Sequence, residues 1–248
     1  MKDVILYFAC KYFGDWERIY DALEKQEEID FDEIELLKKE YENMYVTVLD
    51  IEYPMELKKI DRPPFILFYK GNFDLLNSKN KIWYFGSYFN RKVNDTYSSH
   101  KKQMDENNIL LISGYTNDFE RSLLNGVIPT DSIIIRDSGI NSYINMTKIE
   151  EELFKKNNLL LSEYPDKVIP SLYTWECSNR IKIGLSMGIF LITSLKEKMT
   201  FKIIADTIDE KRDVFCYNKN IDVKSHNSIL IEKGAEHIET MEEIIKNG

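Results

Sequence analysis

The chain has 248 residues, of which 43% are hydrophobic and 30% charged, and its formal net charge is −9. That much apolar material suits one α/β unit with a small appendage and excludes wholesale disorder; a field of this sign repels polyanions, so any nucleic-acid contact needs a local basic patch. Cys10, Cys177 and Cys216 lack CxxC spacing and His100, His226 and His237 form no ligand motif, so no metal, disulfide framework or other cofactor is expected. The apolar stretch near Met1 is short and soon charged, unlike a signal peptide or membrane span, which points to a soluble cytoplasmic protein.

Residues 1–43 read as a small helical module. Gly14-Asp15 breaks and caps the chain, Trp16, Ile19, Tyr20 and Leu23 then follow helical spacing, and "DFDEIELLKKEYENM" repeats the pattern. From Met44 onward the period changes. "MYVTVLD" reads as a strand, "YPMELKKID" as a short helix before a Pro-Pro turn, and "FILFYKG" as a second strand. Strands and helices then alternate: "KIWYFGS", a helix over 91–107, "NILLISG", "FERSLLNG" as a helix, "DSIIIRDSGI", "MTKIEEELFKKNN" as a helix, "LLLSEYP", a helix over 179–188, "IFLITS", "TFKIIADTIDEK" as a helix, "DVFCYN", and closing helical pieces in "SILIEKGA" and "MEEIIKNG". Repeated β-α units with near-continuous apolar strands predict a Rossmann-like, doubly wound, mostly parallel sheet over residues 44–248.

In such a sheet ligands lie beyond the carboxyl ends of the strands. Three strands end in small polar turns, Gly86-Ser87, Ser113-Gly114 and Ser138-Gly139. Such turns either expose backbone N–H groups to an anion or serve only as turns. The stretch Leu161 to Ser194 adds Trp175 among polar neighbours and Asn179, Arg180 and Lys182 at an expected helix start. Trp175 is either a core indole or a ring on which bases stack, and Arg180 is either a phosphate contact or half of an ion pair with Glu163 or Asp166.

The ordered segments "YPMELKKIDRPPFILFYKGN", "FGS", "SG" at Ser113-Gly114, "SIIIRDSGI", "LLLSEYP", "SNRIKIGLS" and "HNSILIEKGA" resemble the DNA-processing protein A (DprA, also called Smf) family, over residues 45–236. That family carries "SEYP…RNRIIAGLS" and closes its domain with an "LI..GA" element, matched by Leu230, Ile231, Gly234 and Ala235. The resemblance implies a Rossmann-like protein that binds single-stranded DNA, protects incoming strands during natural transformation and helps load the RecA recombinase, usually as a homodimer. It implies DNA contacts at Gly86, Ser87, Trp175, Asn179 and Arg180, with Arg91 the nearest cation to the replaced arginine, and no catalytic residues; Ser113, Gly114 and Lys182, from the strand-end turns and the helix start, complete the candidate DNA-binding set. The sequence also departs from the family pattern. Tyr88 and Ser178 stand at arginine positions, the "SGLARGID" segment is replaced by "SGYTNDFERS", "SGSLITA" by "MTFKIIA", and Thr193 replaces an acidic residue.

Two other classes compete. A phosphoribohydrolase-like enzyme would need a GGxGT phosphate loop, absent from a chain with 10 glycines. "GLSMG" fits the nucleophile-elbow pattern but lies on the wrong side of its strand. A scaffold that has lost DNA binding is the third class, suggested by the depleted arginines.

Overall fold

The computed structural model describes residues 1–42, 44–126, 131–142, 152–153, 156–218 and 225–247. Among these it contains nine strands in one sheet, ordered β1-β2-β6-β5-β4-β3-β7-β8-β9. The strands are β1 (Tyr45–Thr47), β2 (Ile66–Gly71), β3 (Lys81–Gly86), β4 (Leu110–Ser113), β5 (Ser132–Ile135), β6 (Leu159–Ser162), β7 (Gly188–Thr193), β8 (Asp213–Tyr217) and β9 (Glu236–Ile238). Strands β3 to β9 pair in parallel, while β2 runs antiparallel to both β1 and β6. The fold is the doubly wound α/β sheet expected.

Each central strand is buried on both faces. Trp83 and Phe85 enter one apolar cluster, and their neighbours Ile82 and Tyr84 enter the other. A fully buried Leu, Ile or Phe contributes about 1.5–3 kcal/mol relative to an exposed one, which is why these strands read as continuous apolar runs rather than alternating ones. Between them run α4 (Arg91–Glu106), α5 (Asp118–Gly126), α6 (Leu172–Leu185), α7 (Lys198–Asp209), α8 (Asn227–Glu232) and α9 (Met241–Asn247). Because β4, β5 and β6 extend to one side of β3 and β7 to β9 to the other, the winding reverses between β3 and β7. That reversal opens the crevice at the carboxyl ends of Gly86 and Thr193.

Helices α1 (Lys2–Lys11), α2 (Trp16–Glu24) and α3 (Phe31–Glu40) are seated on the antiparallel edge. Ile5, Leu6, Phe8, Ile19 and Ile34 share a cluster with Ile66 and Phe68 of β2, and the Trp16 indole N–H donates to the Pro63 carbonyl at 2.8 Å. Asp15 and Asp30 cap α2 and α3 by accepting from backbone N–H groups.

Three local expectations change. "YPMELKKID" holds only a 3-10 turn at Leu57–Lys59. The segment "EHI", for which no element was expected, forms the edge strand β9. Helix α6 starts at Leu172, seven residues before the expected Asn179, because Ser171 and Thr174 form a capping box. The sequence "LYTWECSN" hides this helix because its buried face includes Thr174, Ser178 and Asn179, so no apolar stripe shows. The helix expected over "MTKIEEELFKKNN" falls largely outside the described residues.

Candidate nucleic-acid interface

The β3–β7 crevice is built around Ser87. The Ser87 N–H donates to the Thr193 carbonyl at 3.1 Å, its Oγ accepts from Leu195 N–H at 3.0 Å, and the same oxygen lies 3.0 Å from Thr200 Oγ1. Gly86 must be glycine here, since a Cβ would enter the Phe119 ring and sit 2.8 Å from Thr193 Oγ1. The turn then leads to Asn90, whose side chain caps α4 by accepting from Val93 N–H at 2.9 Å.

Cations gather around this turn from two chain segments. Arg91 and Lys92 are exposed at the start of α4, four and five residues after Ser87. Lys196 and Lys198 are exposed on either side of Glu197, between Leu195 and Thr200, the two residues that hold Ser87. Helix N-termini add a positive partial charge at both places. Tyr88 and Phe89 lie half-buried beside them.

The other two strand ends do not offer free amides. Gly114 N–H donates to Glu120 Oε1 at 2.9 Å, and Gly139 N–H donates to the Val168 carbonyl at 3.0 Å. With Ser87 N–H also engaged, each of the three turns has one of its backbone N–H groups bonded inside the protein. The Ser87 and Gly114 amides are thus not free for an anion, a correction to the amide-based reading of Gly86, Ser87, Ser113 and Gly114.

Trp175, Asn179 and Lys182 point inward from α6. Trp175 is 7% exposed, so the indole is a core group and is not presented for base stacking. Lys182 is 1% exposed and donates to Glu120 Oε1 at 2.8 Å and to Asn179 Oδ1 at 3.1 Å. Its ammonium also lies 5.1 Å from the Trp83 ring and 5.7 Å from the Trp175 ring. A lysine so enclosed balances an internal carboxylate and cannot reach a phosphate.

Arg180 faces another way. Its guanidinium donates to both oxygens of Glu163, at 2.6 and 2.5 Å, to the Cys177 carbonyl at 2.7 Å and to the Arg62 carbonyl at 2.9 Å. Burial works against its charge, but the Glu163 carboxylate outweighs that and raises the guanidinium pKa. Arg180 borders a groove of about 350 Å3 between α2, α6 and α7, where seven carboxylates, among them Glu17, Asp61 and Glu210, face three cations, Arg62, Arg180 and Lys202. Such a groove repels a polyanion. Of the two readings of Arg180, the ion pair with Glu163 holds, and Arg180 and Trp175 do not share a furrow with Ser87.

Asp137, just beyond β5, is a further buried charge. Thr116 Oγ1 donates to it, and burial raises its carboxyl above the ordinary aspartate value, with Thr116 and Lys182 pulling the other way. Sequence reasoning missed Lys196 and Lys198, although their position just past the last residue of β7 was the available signal. It also missed Glu120 and Asp137, whose roles depend on partners 62 and 21 positions away.

Residues 44–248 match the family model described as DNA recombination-mediator protein A. The chain is similar to the DNA processing protein DprA of Streptococcus pneumoniae, with 25% identity over 215 residues that cover 84% of this chain and 76% of that protein. It is 28% identical over 207 residues to the Bacillus subtilis DprA, covering 79% and 68% of the two chains. Among solved structures, the X-ray structure of the S. pneumoniae protein superposes with a TM-score of 0.74 at 24% identity, over 93% of this chain and 80% of that one. A Helicobacter pylori DprA, whose structure concerns a single-stranded DNA binding mode, gives 0.70 at 18% identity, over 84% and 96%. At these identities the two superpositions speak for the fold. Among the described residues no helix is long and apolar enough to cross a membrane. From the match over residues 44–248, the chain belongs to the DNA recombination-mediator protein A family.

Proposed function

We propose that this protein binds single-stranded DNA on the rim around Ser87, at the carboxyl ends of β3 and β7. The observation that carries the reading is the exposed set Arg91, Lys92, Lys196 and Lys198, which brackets one turn at the reversal point of the sheet. Family membership and the single-stranded DNA binding mode of the H. pylori relative support it. Cations on flexible stems follow a strand's phosphates, and the half-buried rings of Tyr88 and Phe89 offer faces for bases at about 1–3 kcal/mol each. Trp175, Asn179, Arg180 and Lys182 hold the scaffold behind this rim.

In this reading residues 44–248 form the DNA-binding unit and residues 1–43 a helical appendage to it. The protein works in the cytoplasm as a homodimer that protects incoming strands and assists RecA loading, by binding rather than by catalysis. The test is competition between oligo-dT and a duplex of equal length for the purified protein. Preference for the single strand, weakened when Arg91 and Lys196 are both changed to Ala, is the expected result. Equal affinity for both forms, or no binding, refutes the proposal.

A further inference from the structure

A buried carboxylate lies where a Rossmann-like sheet ordinarily meets an anion. Glu120 is 0% exposed at its side chain and takes hydrogen bonds from Gly114 N–H, at the carboxyl end of β4, and from the Lys182 ammonium. The fit to Gly114 is so close that a Cβ on that residue would land on the Glu120 carboxylate. Backbone approach of that kind, with an ammonium opposite, is the arrangement that strand-end anion sites use.

Donors on neighbouring residues are left unengaged by this carboxylate. Ser113 Oγ and Trp175 Nε1 are buried without a partner, on residues 0% and 7% exposed. Asn117 Nδ2 is also buried without a partner, and its orientation is fixed because Oδ1 accepts from Glu120 N–H at 2.8 Å. Glu120 Oε2 is unpartnered as well. The side chain thus engages two donors while three more on surrounding residues stay idle, and buried polar groups left idle are costly. The planar carboxylate takes both of its donors on Oε1 and leaves Oε2 unmatched, whereas a tetrahedral oxyanion presents four acceptor oxygens in three dimensions. Asp137 is the opposing charge in this neighbourhood, its carboxyl raised by burial above the ordinary aspartate value. A groove of about 490 Å3 lies alongside, its wall including Thr116, Asn117 and Trp175.

We propose that Glu120 is a built-in anion that occupies an oxyanion cradle formed by Gly114, Lys182 and their neighbours, and so keeps external phosphate groups out of it. This makes Glu120 the residue that closes the carboxyl end of β4 to phosphate. The proposal does not depend on whether the rim binds DNA, because its probe is inorganic phosphate.

The experiment compares wild type, Glu120→Ser, Glu120→Gln and the double variant Glu120→Ser, Lys182→Met, titrated with phosphate at constant ionic strength against chloride. Thermal midpoints and calorimetric titration are the readouts. Glu120→Ser is expected to melt below wild type in chloride, to recover with phosphate, and to bind one phosphate at least tenfold more tightly than wild type does. The double variant should lose that response. Glu120→Gln keeps the shape and the carbonyl acceptor, so it remains folded should the serine variant fail to fold, and it should show a smaller phosphate response than serine but one above wild type. Absence of a phosphate response in both single variants, or an equal response in all four proteins, overturns the assignment. A purely structural ion pair predicts the loss of stability without recovery by phosphate.

Discussion

Changing Arg180 to Ala separates a structural guanidinium from a DNA-binding one. The side chain is 18% exposed and its partner Glu163 only 6%, and four hydrogen bonds tie it to the end of β6, to α6 and to the loop before β2. Truncation leaves the Glu163 carboxylate buried without its cation, a change that costs about 3–5 kcal/mol when such a pair is broken from one side. For a protein of this size that corresponds to a fall in thermal midpoint of roughly 6–20 °C. The assay pairs a melting curve with oligo-dT binding measured well below the midpoint of the variant. The expected outcome is a large loss of stability with single-strand affinity changed less than twofold. A joint replacement, Arg180→Met with Glu163→Leu, should regain most of the lost stability, because removing both charges leaves none stranded. A variant that melts within a degree or two of wild type and loses tenfold or more in DNA affinity refutes the reasoning and returns Arg180 to the interface.

Further outcomes concern the interior and the crevice. Trp175→Phe should leave oligo-dT affinity within twofold, since the indole is enclosed, while Trp175→Ala should cost about 3–5 kcal/mol in urea denaturation; a selective loss of binding in the phenylalanine variant would show that the ring reaches DNA. Gly86→Ala forces a methyl into Phe119 and Thr193 and should lower stability by about 1–3 kcal/mol, read as a shifted urea midpoint; an unchanged midpoint contradicts the packing described. Asp137 has a folded-state pKa above its unfolded value, so the folded state holds this proton more tightly and stability drains away as pH rises from the ordinary aspartate value through the raised one. Asp137→Asn should therefore be more stable than wild type at pH 7, with the advantage gone below about pH 4; an advantage that persists or grows in acid would reverse that reasoning.

The sheet was legible because two-sided burial leaves a mark that needs no partner information. "KIWYFG", "SIII" and "IFLIT" are apolar runs interrupted only at their ends, by Lys81, Ser132 and Thr193, and each became a strand of the sheet. The β9 edge and the true start of α6 were less so. The first is three residues long, and the second places Thr174, Ser178 and Asn179 on its inner face, where an apolar stripe would have announced it. The site was legible only in outline. The position of the crevice follows from strand ends, and Ser87 was named for that reason, while Arg91 was named through the family resemblance. Whether a charged residue faces solvent or a hidden partner is set by contacts far apart in sequence. Lys182 and Glu120 are separated by 62 positions and Arg180 and Glu163 by 17, so two cations that looked available for phosphate are consumed internally. Two that looked ordinary, Lys196 and Lys198, stand exposed at the crevice.

The most direct measurement is the salt dependence of oligo-dT binding for wild type and for a variant with Arg91, Lys92, Lys196 and Lys198 all changed to Ala. If each cation meets one phosphate, the logarithmic slope for wild type carries about −2.8 from these four side chains, so that their share of the affinity falls roughly 50-fold between 50 and 200 mM salt. The variant should fold normally, lose most of that slope and bind far more weakly at low salt. Matching slopes and affinities for the two proteins would contradict a single-strand interface on this rim.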